Sequence, residues 1–380
     1  MMKAIVNANV VTPYGILFDG AIVIEDKCIV DIKADRGELP EGTEIIDAEG
    51  AYVGPGFVDI HVHGRGHLAT YDASAKIVNE FLKHGTTSFL TTPYYVQNLE
   101  EILKAIEDTK EAMKKSRVIK GIYMEGPFTN PNYGANADLN PWRHGIVEEE
   151  YKAIVDAGGE LIKVWTTAPE LDGIEEFMAY AKKVNPNTVI ALGHSEATPQ
   201  LISSLNSKFQ PKLMTHMFDA TGRIPVPGGT RGYGPDEYCL ATPDMYAEVI
   251  SDSCGLHMNG ALQRMVLQNK GVDKVVLVTD STKTDSPSPE ELAYITDINF
   301  DHNGNINGSV LTMDMACRNI MSHTSCGIAQ AFIMASLNPA KVIGMDDEIG
   351  SIEKGKIADL VFVDDKFNVL KVMTEGEFYE

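Results

Sequence analysis

Short apolar runs alternate with amphipathic stretches through most of the chain. Between residues 57 and 280 eight runs read as strands: FVDIHVH (57–63), TSFLTT (87–92), GIYMEG (121–126), LIKVWTTA (161–168), VIALGHS (189–195), LMTHMF (213–218), YAEVISD (246–252) and KVVLVTD (274–280). Helical periodicity separates many of them, over 74–84, 99–115, 173–183 and 256–269. The charge run EEEYK at 148–152 marks the exposed start of another helix, and two more are predicted at about 310–323 and 327–336. Strands alternating with helices imply βα units and a parallel sheet. Eight such repeats predict a (β/α)8 barrel of α/β class. The segments 126–146 and 219–244 are long and irregular, the second rich in Gly and Pro, and read as binding loops.

The two ends have a different texture. Residues 1 to 53 carry Val- and Ile-rich runs broken by Gly, Pro and Asp, and the stretch from 355 to 380 repeats the pattern. The economical arrangement pairs both termini into one small β-sandwich. The expected division is therefore a sandwich of 1–53 with 346–380 and a catalytic barrel over 54–345.

Charge narrows the partners. In 380 residues, 32 basic against 54 acidic side chains give a net charge of −22. Nucleic acids and anionic membranes need basic patches, so neither is an expected partner. The five cysteines are scattered without a C-x-x-C spacing, as expected of free thiols in a reducing compartment. The opening MMKAIVNANVVTP lacks the core of a signal peptide, and no run approaches bilayer length. The expectation is a soluble, cytoplasmic protein.

The candidate chemistry sits at strand ends. Within GPGFVDIHVHGRG, strand alternation projects His61 and His63 to one side and Val62 to the other. Glu125 ends the third strand, His194 the fifth and Asp280 the eighth, and His216 falls late in the sixth. In a barrel these C-terminal ends converge on one mouth, where catalysis sits. Neutral imidazoles with a carboxylate suit a borderline divalent ion such as Zn²⁺, with a position left open for water. Such an ion lowers the pKa of water toward ~7 and polarises a carbonyl. Asp280 can take the water proton and return it to a leaving group.

PGFVDIHVHG, MEGPF, the His of LGHS, THMFDA, the His of CGLH, LVTD and GSVLTM occur in that order. Together they resemble the N-acetylglucosamine-6-phosphate deacetylases of the amidohydrolase superfamily. GSIEKGKIADLVFVD resembles that superfamily's closing segment, so the likeness spans nearly the whole chain. The resemblance implies a metal-bearing (β/α)8 barrel with a sandwich from both termini, usually a homodimer. It implies that Glu125, His194 and His216 hold the main metal, with Zn first and Fe as an alternative. His61 and His63 match the pair that holds a second ion in some members, so one or two ions are expected. Asp280 matches the general base and acid, and His257 a residue that contacts substrate. Asp219, Ala220 and Arg223 fall where the family binds the sugar phosphate. The loop Ser309-Val310-Leu311 resembles one that closes over the N-acyl group.

Two features depart from the family pattern. Asp219 stands where Asn is common, and a carboxylate facing a phosphate is repulsive unless protonated or turned away. Asn136 follows Gly134-Ala135 where the family usually has His, and the stretch Leu139–Arg143 is also unlike it. Both bear on the sugar end of the pocket. The leading expectation is a small-molecule deacetylase acting on N-acetylglucosamine 6-phosphate. The alternatives are the galactosamine isomer, an unphosphorylated amino sugar, or a dipeptide-like or cyclic-amide substrate. A bridging carbamylated Lys163 would mark the last of these. A non-catalytic scaffold would require missing ligand residues, and none of the six is missing.

Overall fold

The computed structural model describes residues 2–34, 37–71, 75–222, 232–284 and 288–379. Among them all eight predicted barrel strands form: Phe57–Asp59, Thr86–Thr91, Ile119–Met124, Ile162–Thr167, Val189–Leu192, Leu213–Met214, Tyr246–Ile250 and Val275–Val278. They pair in chain order, each parallel to the next. The seam between the last and the first is closed just beyond the strands. There Asp280 N donates to His61 O at 3.0 Å and His63 N to Ser281 O at 2.8 Å.

A helix follows every strand: Ala75–Leu82, Leu99–Met113, Glu148–Gly158, Ile174–Val184, Pro199–Phe209, Pro235–Ala241, Gly260–Lys270 and Met313–Thr324. The second shows why the sequence folds this way. Asn98 accepts from Glu101 N while Glu101 accepts from Asn98 N, a reciprocal cap, and Ile102, Ala105, Ile106, Thr109 and Ala112 bury one face at helical spacing. Strand alternation then separates two cores. Tyr123, Val164, Ala191 and Val276 fill the barrel interior, whereas Ile122, Met124 and Trp165 pack outward with helix residues such as Ile106 and Phe177.

Three details differ from the sequence reading. The first and sixth strands stop early, at Asp59 and Met214, and beyond the sixth the chain turns through sharply non-extended conformations. His194, His216, Phe218 and Asp280 all take positive φ, at 46°, 23°, 67° and 45°, a region costly for residues with a side chain. The Gly- and Pro-rich stretch after 219 contains the helix Pro235–Ala241, where Pro235 starts the first turn. Finally, the segment before Met313 is a hairpin, Ile298–Phe300 with Ile306–Ser309, and not the start of a helix. The helix near 327–336 begins at Ile328 and continues through a wider turn, Ile333–Leu337, into Asn338–Val342.

The two termini do come together. Leu360–Val363 runs antiparallel to Tyr52–Pro55, which pairs with Met2–Thr12. In all, eight described strands form one mixed sheet folded around Ile5, Val10, Ile22, Val53, Leu360 and Phe362. Arg117, beyond the second helix, grips Asp359 of this sheet through both guanidinium nitrogens at 3.0 and 2.7 Å.

Candidate active site

The barrel mouth collects six of the predicted residues. His194 Nε2 and His216 Nε2 lie 2.7 and 3.0 Å from the same Glu125 oxygen and 3.1 Å from each other. His63 Nε2 sits 3.1 Å from the other Glu125 oxygen and 3.1 Å from Asp280. His61 Nε2 faces Glu125 at 3.7 Å and Asp280 at 3.8 Å. His61 and His63 lie beyond the end of their strand, yet the alternation survives: both converge inward while Val62 packs outward with Ile77 and Phe81.

Each imidazole is anchored at Nδ1, which turns Nε2 toward the cluster. The acceptors are Glu248 Oε2 for His61 at 3.1 Å, Thr92 O for His63 at 2.9 Å, Tyr133 O for His194 at 3.3 Å and Asp219 O for His216 at 3.3 Å. The electrostatics follow from this crowding. Burial pushes Glu125 up, but His194, His216 and His61 outweigh it and hold the carboxyl well below the usual range. Burial lowers His63, yet Asp280 and Glu125 lift it to about 9, and His216 reaches about 9 against burial through Glu125 and Asp219. Asp280 is pushed up by burial and held down by His63 and His61.

These residues fit a divalent cation. Four inward-facing imidazole nitrogens crowd around two carboxylates, and the fully buried His61 Nε2 has no hydrogen-bond partner among the described residues. Two overlapping triads have ligand atoms within 4.8 Å of one another: His61–His63–Asp280 and His61–Glu125–His216. Nitrogen and oxygen donors in this mixture match the preferences of zinc-like ions.

The cluster floors a cavity of about 390 Å³. Its walls include Tyr94, Tyr95, Asp219, Ala220, Thr282 and the hairpin residues Asn305–Gly308. Two glycines make this closeness possible. Gly134 has φ +104°, and a Cβ there would meet Tyr95 OH at 2.3 Å; at Gly308, φ +60°, a Cβ would lie 2.4 Å from Asp280 O.

The remaining predicted residues are placed less uniformly. Asp219 and Ala220 line the cavity. Arg223 lies outside the described residues. Leu311 is buried in the apolar cluster of the barrel interior, and the hairpin wall is made by residues 305–308 instead. His257 precedes its helix, whose cap is Asn259. It is buried, with Nδ1 on Asp252 at 3.1 Å and Nε2 unpartnered among the described residues. Burial lowers its pKa, but Asp252 and Asp219 raise it overall.

Three acidic residues escaped the sequence reading. Asp59 accepts from Thr279 Oγ1 at 2.6 Å across the seam, and burial lifts its carboxyl to about 7. Glu248 anchors His61. Asp252 accepts from the backbone of Cys254, Leu256 and His257 and so builds the loop that carries His257. The available signal was a charged residue inside a strand predicted to be buried on both faces, where unpaired charge is rare.

A (β/α)8 barrel with a histidine–carboxylate cluster at the C-terminal mouth defines a hydrolase of the metal-dependent type. The chain belongs to the amidohydrolase family, whose profile matches residues 52–378. It is 29% identical over 404 residues to the N-acetylglucosamine-6-phosphate deacetylase of Haemophilus influenzae, covering 100% of both chains. It is 25% identical to the N-acetylgalactosamine-6-phosphate deacetylase of Escherichia coli O157:H7, covering 97% of each. Among solved structures it resembles the N-acetylglucosamine-6-phosphate deacetylase of Pasteurella multocida, with a TM-score of 0.85, 28% identity and full coverage of both chains.

Proposed function

We propose that this chain removes the acetyl group from an N-acetylated amino-sugar 6-phosphate, foremost N-acetylglucosamine 6-phosphate, releasing acetate and the amino-sugar phosphate. The observation that carries the reading is the convergence of His63, His194, His216, Glu125 and Asp280 on a cavity of about 390 Å³, the size of a small-molecule site. The relatives named above, which include deacetylases of both sugar isomers, support the substrate class.

Glu125, His194 and His216 would hold the main ion, with His61 and His63 for a second; zinc suits the set best and iron is the alternative. A bound ion supplies Lewis acidity, which makes water a better nucleophile and the acyl carbonyl a better electrophile. The protein's own groups do the rest. Asp280, ionised because His63 and His61 lower its pKa, takes a proton from the attacking water and delivers it to the departing amine nitrogen. His257, held at Nδ1 by Asp252, directs Nε2 at the substrate and stabilises negative charge on its oxygen. Tyr94, Tyr95 and Asn305–Gly308 enclose the acyl and sugar portions. Ala220 and Arg223 would receive the phosphate, and the Asp219 main chain binds His216.

The proposal includes a homodimer, as the family resemblance implies. All five cysteines are free, which fits a reducing cytoplasm, and no described helix is long and apolar enough to cross a membrane.

Acetate release by the metal-loaded protein from N-acetylglucosamine 6-phosphate, its galactosamine isomer and the two unphosphorylated sugars tests the reading. A strong preference for one phosphorylated sugar is expected. No release from any of the four, with metal bound, would overturn the substrate class and leave the search to other N-acyl or cyclic amides.

A further inference from the structure

Of the four imidazoles at the barrel mouth, three are anchored by backbone carbonyls and one by a side chain. Thr92 O, Tyr133 O and Asp219 O serve His63, His194 and His216. His61 alone is held by a carboxylate, that of Glu248 on the seventh strand. The same Oε2 also accepts from the backbone N of His216 at 3.0 Å. One oxygen thus ties the first-strand ligand to the sixth-strand turn. That turn needs a tie, because His216 sits at φ 23°.

Glu248 is fully buried in an otherwise apolar strand, and its Oε1 has no partner among the described residues. Burying a carboxylate is costly, and nothing about packing Tyr246–Ile250 demands one. On its far side His61 is fixed by Tyr123, whose ring stacks on it at 4.4 Å. Tyr123 is in turn held by its hydroxyl, 2.9 Å from Thr215 Oγ1. With the ring clamped and Nδ1–H given to Glu248, one tautomer remains, the one with its free lone pair on Nε2. His61 is also the residue shared by both candidate ligand triads.

We infer that Glu248 is a positioning residue that locks His61 and the His216 turn in ion-binding geometry, so that cation affinity at the barrel mouth is set in part from the seventh strand. The inference rests on reading the cluster as a metal site. A carboxylate behind a ligating histidine fixes its tautomer and raises its basicity, and losing such a partner weakens metal binding about 10- to 100-fold.

The test measures Zn²⁺ and Co²⁺ affinity of the full chain by chelator competition, with thermal unfolding of the metal-free proteins alongside. Glu248→Met should weaken binding by about 10- to 100-fold, and Glu248→Ala serves the same comparison if the methionine misfits. Glu248→Gln keeps an oxygen for both donors and should stay within about threefold of wild type. In a His61→Ala background the Glu248→Met effect should shrink to the part carried by the His216 turn, because Glu248 and His61 act as one unit. Unchanged affinity in Glu248→Met would overturn the inference. So would a glutamine as damaging as methionine, or an equal loss with and without His61. A wild-type chain that binds neither ion would overturn the metal reading itself and the inference with it.

Discussion

Asp280 shows how one residue can be both strained and exact in its placement. Its backbone is at φ 45°, its N donates to His61 O, and its carbonyl accepts from Ser309 N at 2.8 Å. The carboxylate is left facing His63 at 3.1 Å and His61 at 3.8 Å. Asp280→Asn keeps the shape and removes the base; kcat should fall by at least about 100-fold while metal content stays at the wild-type level. Retained turnover would refute the assigned role. Asp252 acts at a distance from the chemistry. It accepts three backbone N–H groups and the His257 ring, and these hold its pKa at about 2 against burial. A carboxyl lowered from its ordinary 3.8 to about 2 stabilises the fold fully above pH 3.8 and ceases to do so as pH falls through 2. Asp252→Ala should therefore cost about 2 kcal/mol at pH 7. Urea midpoints should show the gap to wild type narrowing once the pH drops below 3.8; a gap that is constant with pH would refute this account.

At the scale of elements, residues 305–308 of the hairpin 298–309 and Gly134–Ala135 of the facing loop line the cavity. Asp301 organises the hairpin turn by accepting from the backbone of Asn303 and Asn305, and it reaches across to Asn136 N at 3.0 Å. His302 adds contacts to Asn136 and Asp138. Asn136, which departs from the family pattern, thus has a structural task in this chain. Asp301→Ala should loosen the wall over the substrate and leave the metal ligands alone. Steady-state kinetics should give a KM raised by about 10-fold with kcat changed less; an unchanged KM would show that the wall does not meet the substrate.

Across the whole molecule, the Arg117–Asp359 pair is a polar tie between sheet and barrel. Asp359 is buried, and Arg117 also lies 3.3 Å from Glu375. Removing one partner strands a buried carboxylate, so Arg117→Ala should destabilise the protein by about 3–5 kcal/mol in denaturant titrations; a change below about 1 kcal/mol would place the tie among inconsequential surface pairs. Metal removal acts on the same global equilibrium. An ion that binds only the folded state at 1,000 times its Kd adds about 4 kcal/mol. Stripping with a chelator should therefore lower Tm by several degrees, and zinc should restore it. Identical melting curves would argue that the cluster holds no ion.

The architecture and the cluster at the barrel mouth were legible in the residue pattern alone. Eight apolar runs alternating with helical periodicity define a barrel, because burial on two faces needs that pattern. A barrel then brings strand ends together regardless of their distance along the chain, which made His61, His63, Glu125, His194, His216 and Asp280 legible as one cluster. What lay outside its reach was decided by contacts between distant segments. The early end of the sixth strand follows from positive-φ turns at His216 and Phe218 that only the packed mouth can stabilise. The hairpin wall took the place expected for Leu311 because Leu311 found its burial in the barrel interior. Glu248, Asp252 and Asp59 read as interruptions of apolar strands, since the partners that satisfy them, His61, the His257 loop and Thr279, are brought to them only by the closed tertiary fold.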